Sequence, residues 1–287
     1  MAELLKGAAV AAAVTERLQP EVAALKARGV EPCLALVRVG ERPDDVYYEK
    51  SAVKRCEKVG VTARRFTLPE HASTDEVLQV IEKINGDPAI HGCLIFRPLP
   101  PGVDDAAVRG ALAVEKDVDG VTDGSLAGVI TGAGKGFPPC TAQACLEILD
   151  HYGVDPCGRR VTVLGRSLVV GRPLALLLLR RNATVTVCHS RTGQDDIRPL
   201  SREADVVAAC LGRAEMVDES FLSEGQIVLD VGFNPLADGS VVGDVRCAAA
   251  EKVRAFTPVP GGVGAVTTSV LVKHTVAAAA RQNGIEL

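Results

Sequence analysis

The chain has 287 residues, 47% hydrophobic and 24% charged, which is enough apolar material for two domains of ordinary size with their own cores. A net charge of -4, a pI near 5.8, and three Tyr with no Trp provide neither a basic surface for a phosphate backbone nor platforms for stacked bases, so no nucleic-acid partner is expected. No apolar run approaches the roughly 20 residues of a membrane-spanning helix, and "PLALLLL" at 173–179 is bounded by Arg172 and by Arg180 and Arg181, so no membrane partner is expected either.

Near the N-terminus, "GAAVAAAV" has Glu3 before it, while Glu16 and Arg17 continue its helical pattern; this argues against a secretory signal and for a cytoplasmic protein. The pattern is expected to break near Pro20 into a pair of helices. "CLALVRVG" (33–40) reads as a strand. "DDVYYEKSAVKRCEKVG" (44–60) reads as a helix with Tyr48, Ala52, Arg55, Cys56 and Val59 on one stripe and Lys50, Lys54 and Lys58 on another, so Tyr48 faces inward. After "TARRFTL" (62–68), Ser73 and Glu76 form a capping box ahead of "VLQVIEKI". "IHGCLIF" (90–96) is a further strand, stopped by Pro98, Pro100 and Pro101. This alternation predicts an α/β fold with a parallel sheet.

A turn-rich zone from 116 to 139 precedes a second alternating series. Its β-branched runs "RRVTVLG", "ATVTVCH", "DVVAACLG" and "QIVLDVGF" are spaced for βαβ units and predict a Rossmann-like domain. An amphipathic helix from about 267 to 282 closes the chain and is expected to pack on the first domain. The nine cysteines show no C-x-x-C pair and no zinc spacing with histidine, so they read as small hydrophobes of a reduced compartment, with no metal site.

"VTVLGRSLVVGRPLA" (161–175) puts Gly165 at a strand end and Gly171 at the next helix start, where backbone amides and a partial positive charge suit a diphosphate. The spacing departs from G-x-G-x-x-G, and Ser167 replaces the middle glycine; the alternative is a plain tight turn. After the next strand, "CHSRT" (188–192) lacks the acid that would accept from a ribose 2'-hydroxyl. Ser190 and Arg191, with Arg166 on the neighbouring turn, can face a 2'-phosphate, which favours NADP as cofactor. In "EKDVDG" (115–120), Asp117 and Asp119 are either turn formers or ligands. "TPVPGGVG" (257–264) suits a loop around a planar ligand or an interdomain connector. His71, His91, His151 and His274 have no partners at telling spacing and read as structural or surface residues.

These residues bring a family into view. The chain resembles the FolD-type bifunctional methylenetetrahydrofolate dehydrogenase/methenyltetrahydrofolate cyclohydrolases through "VG-x-x-P" (39–43), "RPLP" (97–100), "KDVDG" (116–120), "PPCT" (138–141), "GRS-x-x-VG-x-P" (165–173), "VVGDV" (241–245) and "PVPGGVG" (258–264). The resemblance implies two α/β domains around a cleft, normally in a homodimer, with residues 1–118 plus 267–287 forming the folate-binding domain and 119–266 the NADP-binding one. It implies that Tyr48 and Asp119 are catalytic, Asp119 holding the pterin. Ile95, Phe96, Arg97, Pro258, Gly261 and Gly262 would line the folate site with them. Gly165, Arg166, Ser167, Gly171, Ser190 and Arg191 would contact NADP, with Phe233 near the nicotinamide ribose. The expected partners are tetrahydrofolate one-carbon derivatives, within one-carbon metabolism and purine biosynthesis.

The sequence also departs from the family. Bifunctional members carry Tyr-x-x-x-Lys, and the gapless alignment from Val39 to Gly60 puts Ala52 at the lysine; Phe96 and Arg97 stand where "V-Q-L-P-L-P" supplies its glutamine, Ala142 replaces the "PCTP" proline, and Ala265 the proline after "GGVG". Lys50 lies about 200° around the helix from Tyr48 and is no obvious substitute. Hydride transfer asks for geometry alone, whereas opening the methenyl cation with water needs a proton carrier. The expectation is an NADP-dependent dehydrogenase with cyclohydrolase activity in doubt. The alternatives are a fully bifunctional enzyme using Lys50 or Arg97, and a silent folate-binding or regulatory protein.

Overall fold

The computed structural model describes residues 2–287, all but Gln194 with their side chains. The chain divides into two compact units, Ala13–Cys140 with Thr268–Leu287, and Met1–Ala12 with Thr141–Thr267. Both are α/β units built on parallel sheets.

In the unit containing Ala13–Cys140, the strand Cys33–Val39 lies between Thr62–Leu68 and Gly92–Ile95 in a three-stranded parallel sheet. All seven residues of Cys33–Val39 are buried, as a parallel strand covered on both faces requires. Cys33, Ala35, Val37 and Val39 pack with Val77, Ile81 and Ile84 of the helix Thr74–Gly86, whose four- and three-residue spacing makes one apolar stripe. The expected capping box starts that helix: Ser73 N donates to the Glu76 carboxylate at 2.8 Å, and Glu76 N donates to Ser73 Oγ at 3.3 Å.

Lys116 closes the other end of the same helix. Its buried ammonium donates to the carbonyls of Ile84 at 2.7 Å, Asn85 at 3.0 Å and Asp87 at 2.7 Å, so all three of its protons have acceptors at the helix end. Lys116→Met is therefore expected to lower the unfolding free energy by about 3 kcal/mol, since it strips a charged donor from buried acceptors. An unchanged urea midpoint would show that these bonds contribute nothing. Thr268–Leu287 belongs to this unit.

The expected break near Pro20 does not occur. A single helix runs from Gly7 to Ala27 with Pro20 inside it. Pro20 is exposed, so the carbonyl whose partner it removes can turn to water, while the buried side chains of Leu18, Val22 and Leu25 hold the turns on either side.

The other unit contains a six-stranded sheet in the order Glu3–Leu4, Ala255–Phe256, Ile227–Asp230, Val206–Ala209, Arg160–Leu164, Thr184–Cys188, with every pairing parallel. The chain leaves Arg160–Leu164 for a neighbour on one side, Thr184–Cys188, and then returns to its other side at Val206–Ala209. The carboxyl end of Arg160–Leu164 is thus the switch point of the sheet, where doubly wound folds open a crevice for ligands. Among the described residues, no helix is long and apolar enough to cross a membrane.

Candidate functional site

Gly165 follows directly on Arg160–Leu164 at this switch point. Its φ of +128° strains any L side chain, and an added Cβ would stand 2.2 Å from the Cys210 carbonyl oxygen. At Gly171 an added Cβ would meet the Gly165 oxygen at 2.3 Å, so the two glycines let strand end and helix start approach each other. Between them Arg166, Ser167, Leu168 and Val169 are exposed, and no side chain caps the helix Gly171–Arg180. Arg172 N is taken by the Ser167 carbonyl at 3.0 Å and Pro173 has no N–H, so this helix start fits a diphosphate through its partial positive charge and the exposed loop before it.

Gly165 N donates to the Cys188 carbonyl at 2.8 Å, so the turn at 189–192 lies beside this loop. That turn is preset by His189 N bonding Thr192 Oγ1 at 2.9 Å and by Arg191 N bonding His189 Nδ1 at 3.1 Å. Ser190 and Arg191 point to solvent. Among the described residues neither Arg166 nor Arg191 forms an ion pair, so both charges remain for an anionic ligand. The residues present fit a 2'-phosphorylated dinucleotide.

Phe233, 64% exposed, projects from the loop after Ile227–Asp230. Two buried acids unnoticed in the sequence hold this loop. Asp230 Oδ1 accepts from Gly232 N and Asp244 N, each at 2.9 Å, and its Oδ2 from Val245 N at 3.0 Å. Asp244 accepts from the amides of Leu211, Gly212 and Arg213 and from Asn234 Nδ2 at 3.0 Å. Burial pushes the Asp230 carboxyl up to about 6 even though these amides pull it down. "VVGDV" contains Asp244, but amide donors from three separate loops leave no sequence spacing by which to find the two acids.

Pro258, Gly261 and Gly262 lie in this same unit. Their loop is folded tightly: a Cβ on Gly262 would stand 2.5 Å from the Pro258 oxygen, and Gly7 N donates to the Gly261 carbonyl at 2.9 Å. Part of that tightness seats the first helix.

The remaining candidates belong to the unit of Ala13–Cys140. Tyr48 is half-buried on the helix Pro43–Val59, and its ring meets Phe96 edge to face, with centroids 6.1 Å apart and planes at 79°. Ala52, one turn on, is fully buried, while Lys50, Lys54 and Lys58 are exposed. Beside Tyr48, the buried Glu49 accepts from Arg38 Nε at 2.9 Å and Arg65 Nε at 3.0 Å, a charge cluster that fixes the helix to the sheet. No sequence spacing sets Glu49 apart from the other charges of this helix, because its partners Arg38 and Arg65 lie on strands.

Arg97 is gripped by Asp105, with Nε to Oδ1 at 2.6 Å and Nη2 to Oδ2 at 2.8 Å, and Asp105 also accepts from Arg109 at 2.9 Å. Such a bidentate clamp keeps the guanidinium in place as a fixed charge.

Of the two acids of "KDVDG", only Asp117 holds the turn. Asp117 is buried, bridges Cys93 of the strand Gly92–Ile95, and accepts from Val121 N at 3.0 Å and Thr122 N at 2.8 Å, which makes it a turn former. Two residues further along these parallel segments stand Ile95 and Asp119. Asp119 is only half-buried and takes no part in that turn. Burial and then the Asp117 charge push its carboxyl up to about 7, against the opposing pull of the Cys140 thiol and Arg97.

Gly29, Cys33, Arg64 and His91 line a cavity of about 220 Å³ in this unit that contains none of the candidate residues. It lies where Cys33–Val39 and Thr62–Leu68 begin, away from the carboxyl ends that carry Phe96 and Arg97. Among the described residues, no group of three or more His, Cys, Asp or Glu is placed to hold a metal ion.

Residues 5–119 match the family model described as "Tetrahydrofolate dehydrogenase/cyclohydrolase, catalytic domain", and residues 139–283 match its "NAD(P)-binding domain". The bifunctional protein FolD of Alkaliphilus oremlandii (strain OhILAs) is 46% identical over 286 residues, 99% of this chain and 100% of that protein. The FolD dehydrogenase/cyclohydrolase structure from Campylobacter jejuni superposes with a TM-score of 0.93 at 36% identity, covering 98% of this chain and 99% of its own. The Trypanosoma brucei dehydrogenase-cyclohydrolase, solved with NADP and an inhibitor, gives a TM-score of 0.91 at 35% identity, covering 98% of each chain.

Proposed function

Because the chain belongs to the tetrahydrofolate dehydrogenase/cyclohydrolase family, we propose that it oxidises 5,10-methylenetetrahydrofolate to 5,10-methenyltetrahydrofolate with NADP, and that the following hydrolysis to 10-formyltetrahydrofolate is slow. The observation that carries the second half is Ala52, fully buried in the register of the family lysine, one turn from a Tyr48 whose ring meets Phe96.

Bound NADP supplies the two-electron acceptor for the hydride that leaves the one-carbon bridge. The chain supplies position. The amides around Gly165 and Gly171 hold the diphosphate, Ser190 with Arg166 and Arg191 holds the 2'-phosphate, and Phe233 covers the nicotinamide end. Asp119 accepts paired hydrogen bonds from the pterin amino group and ring N–H, while Tyr48, Ile95 and Phe96 form the wall beside it. None of these tasks needs a proton carrier, so oxidation survives a site in which Ala52 and Phe96 offer no polar group.

A full cyclohydrolase through Lys50 or Arg97 is disfavoured, since Lys50 is exposed and Arg97 is clamped by Asp105. A purely binding protein is disfavoured by the uncapped, glycine-lined strand-turn-helix, for which a binder of folate alone has no use.

NADP is expected to be favoured over NAD by about ten- to a hundredfold in kcat/KM for each charge-assisted phosphate contact. The double variant Arg166→Ala with Ser190→Ala should bring the two cofactors close to equality. Equal specificity constants in the unmodified protein would contradict the assignment.

A homodimer fits the edge strand Thr184–Cys188, on which Val187 is 38% exposed, beside the helix Gly171–Arg180 with Leu179 58% exposed. Sedimentation at the mass of two chains is the expected result, and sedimentation as a single chain would exclude it. A cytoplasmic location suits nine free cysteines, of which only Cys157 and Cys247 are exposed.

A further inference from the structure

We propose that Cys140 and His274 are positioning residues for Asp119, fixing the Val118–Asp119 peptide and the carboxylate it carries. The inference rests on the reading of Asp119 as the pterin carboxylate. Val118 is fully buried, and its carbonyl oxygen has polar neighbours from two different helices: His274 Nδ1 at 2.9 Å, from Gly264–Gln282, and Cys140 Sγ at 3.3 Å, from the first residue of Cys140–His151. A carbonyl carries no proton, so a contact of that length requires the proton on His274 Nδ1, which sets the tautomer.

The ring that donates is itself held. His274 is 5% exposed and stacks on Phe137, with centroids 4.8 Å apart and planes at 28°, and the Arg281 guanidinium lies 4.6 Å from the Phe137 ring centroid. Next in the chain after Asp119, Gly120 has φ +72°, and a Cβ there would stand 2.6 Å from the Phe137 oxygen and 2.5 Å from Pro139 N. The segment 137–140 thus closes on both sides of Asp119, pressing on Gly120 and meeting Val118 through the Cys140 thiol.

The thiol has one proton and two acceptors in reach, the Val118 oxygen and the Asp119 carboxylate. The Val118 oxygen has two lone pairs and accepts from both His274 Nδ1 and the Cys140 thiol, while the Asp119 carboxylate, the stronger acceptor, competes for the thiol proton. Burial holds the Cys140 thiol well above its usual range, so it remains protonated and able to donate. The other charged and titratable groups around Asp119 are Asp117 on its own segment, Arg97 beyond the strand Gly92–Ile95, and Cys93 within that strand.

The two positions allow donor and bulk to be separated. His274→Phe keeps a flat ring on Phe137 and removes the N–H, whereas His274→Asn keeps an N–H donor and removes the ring. Cys140→Ala removes the donor, and Cys140→Ser restores one. With 5,10-methylenetetrahydrofolate as probe, His274→Phe and Cys140→Ala are each expected to raise the folate KM about tenfold, with the NADP KM within about twofold of the unmodified protein. Asn at 274 and Ser at 140 should return the folate KM most of the way. The titration midpoint of the Asp119 carboxyl, followed by carbon-13 NMR, should rise in Cys140→Ala and fall back in Cys140→Ser.

If His274→Phe is tolerated and His274→Asn is not, the histidine serves packing alone and the inference fails. It fails equally if the donor-removing variants leave the folate KM and the Asp119 titration unchanged. An unmodified protein that does not oxidise methylenetetrahydrofolate would instead overturn the functional reading, and the carboxyl titration would still decide whether Cys140 supports Asp119.

Discussion

Replacing Asp119 with alanine is expected to lower kcat/KM for methylenetetrahydrofolate by about 10²- to 10⁴-fold, because two hydrogen bonds to a charged group are worth roughly 1.5–3 kcal/mol each. NADP affinity should stay within about twofold, since the turns assigned to the cofactor lie in the other unit of the chain. Asp117→Ala should behave differently. It removes the acceptor of the Val121 and Thr122 amides, and so should lower stability before it affects folate recognition. Asp119 also gives the reaction a pH dependence with a definite sign. Its carboxyl is pushed up to about 7 by burial and by Asp117, and only the ionised form can accept both pterin bonds. The folate KM should therefore improve as pH rises through about 7, and that dependence should vanish in Asp119→Ala. Equal loss of cofactor binding and fold in Asp119→Ala would make this residue a turn former like its neighbour.

The second large effect is a gain. A positioned general acid or base commonly contributes about 10²- to 10⁴-fold in rate, and that is the scale of hydrolysis a restored relay should recover. Ala52→Lys alone is expected to recover little. Ala52 is fully buried, and Tyr48, its neighbour one turn away, is faced by the Phe96 ring, so a new ammonium would be desolvated without a polar partner. Ala52→Lys with Phe96→Gln supplies that partner and should gain methenyl hydrolysis, while hydride transfer changes comparatively little. A double variant that loses oxidation and gains no hydrolysis would mean that the helix Pro43–Val59 does not carry the proton relay.

Much of this arrangement could be read along the chain because its signals are local. The run Cys33–Val39, the Ser73–Glu76 box and the βαβ spacing of the second series each depend on residues within one element, and each forms as expected. Pro20 misled because a proline is judged by its missing donor, whereas its exposed face made that loss tolerable. The strands Glu3–Leu4 and Ala255–Phe256 went unnoticed because two residues are too few to show a period, and only their parallel pairing defines them. The same distinction applies to the candidate site. The Gly165 turn is contiguous and was legible; the anchoring of Asp119 joins Cys140 to His274 across 134 positions, and the acids Asp230 and Asp244 bind amides in loops brought together only by the sheet. The different burial of Asp117 and Asp119 has no counterpart in the letters "KDVDG".

The proposed reaction is oxidation without an efficient proton relay. The most direct measurement follows purified, unmodified protein with 5,10-methylenetetrahydrofolate and NADP, recording NADPH and methenyltetrahydrofolate together against a control without enzyme at matched pH and buffer. NADPH and methenyltetrahydrofolate are expected to accumulate in step, and the methenyl compound then to decay close to the rate of the control. Decay that accelerates in proportion to enzyme concentration would contradict this, and its loss in Lys50→Ala or Arg97→Ala would identify the group that carries the proton.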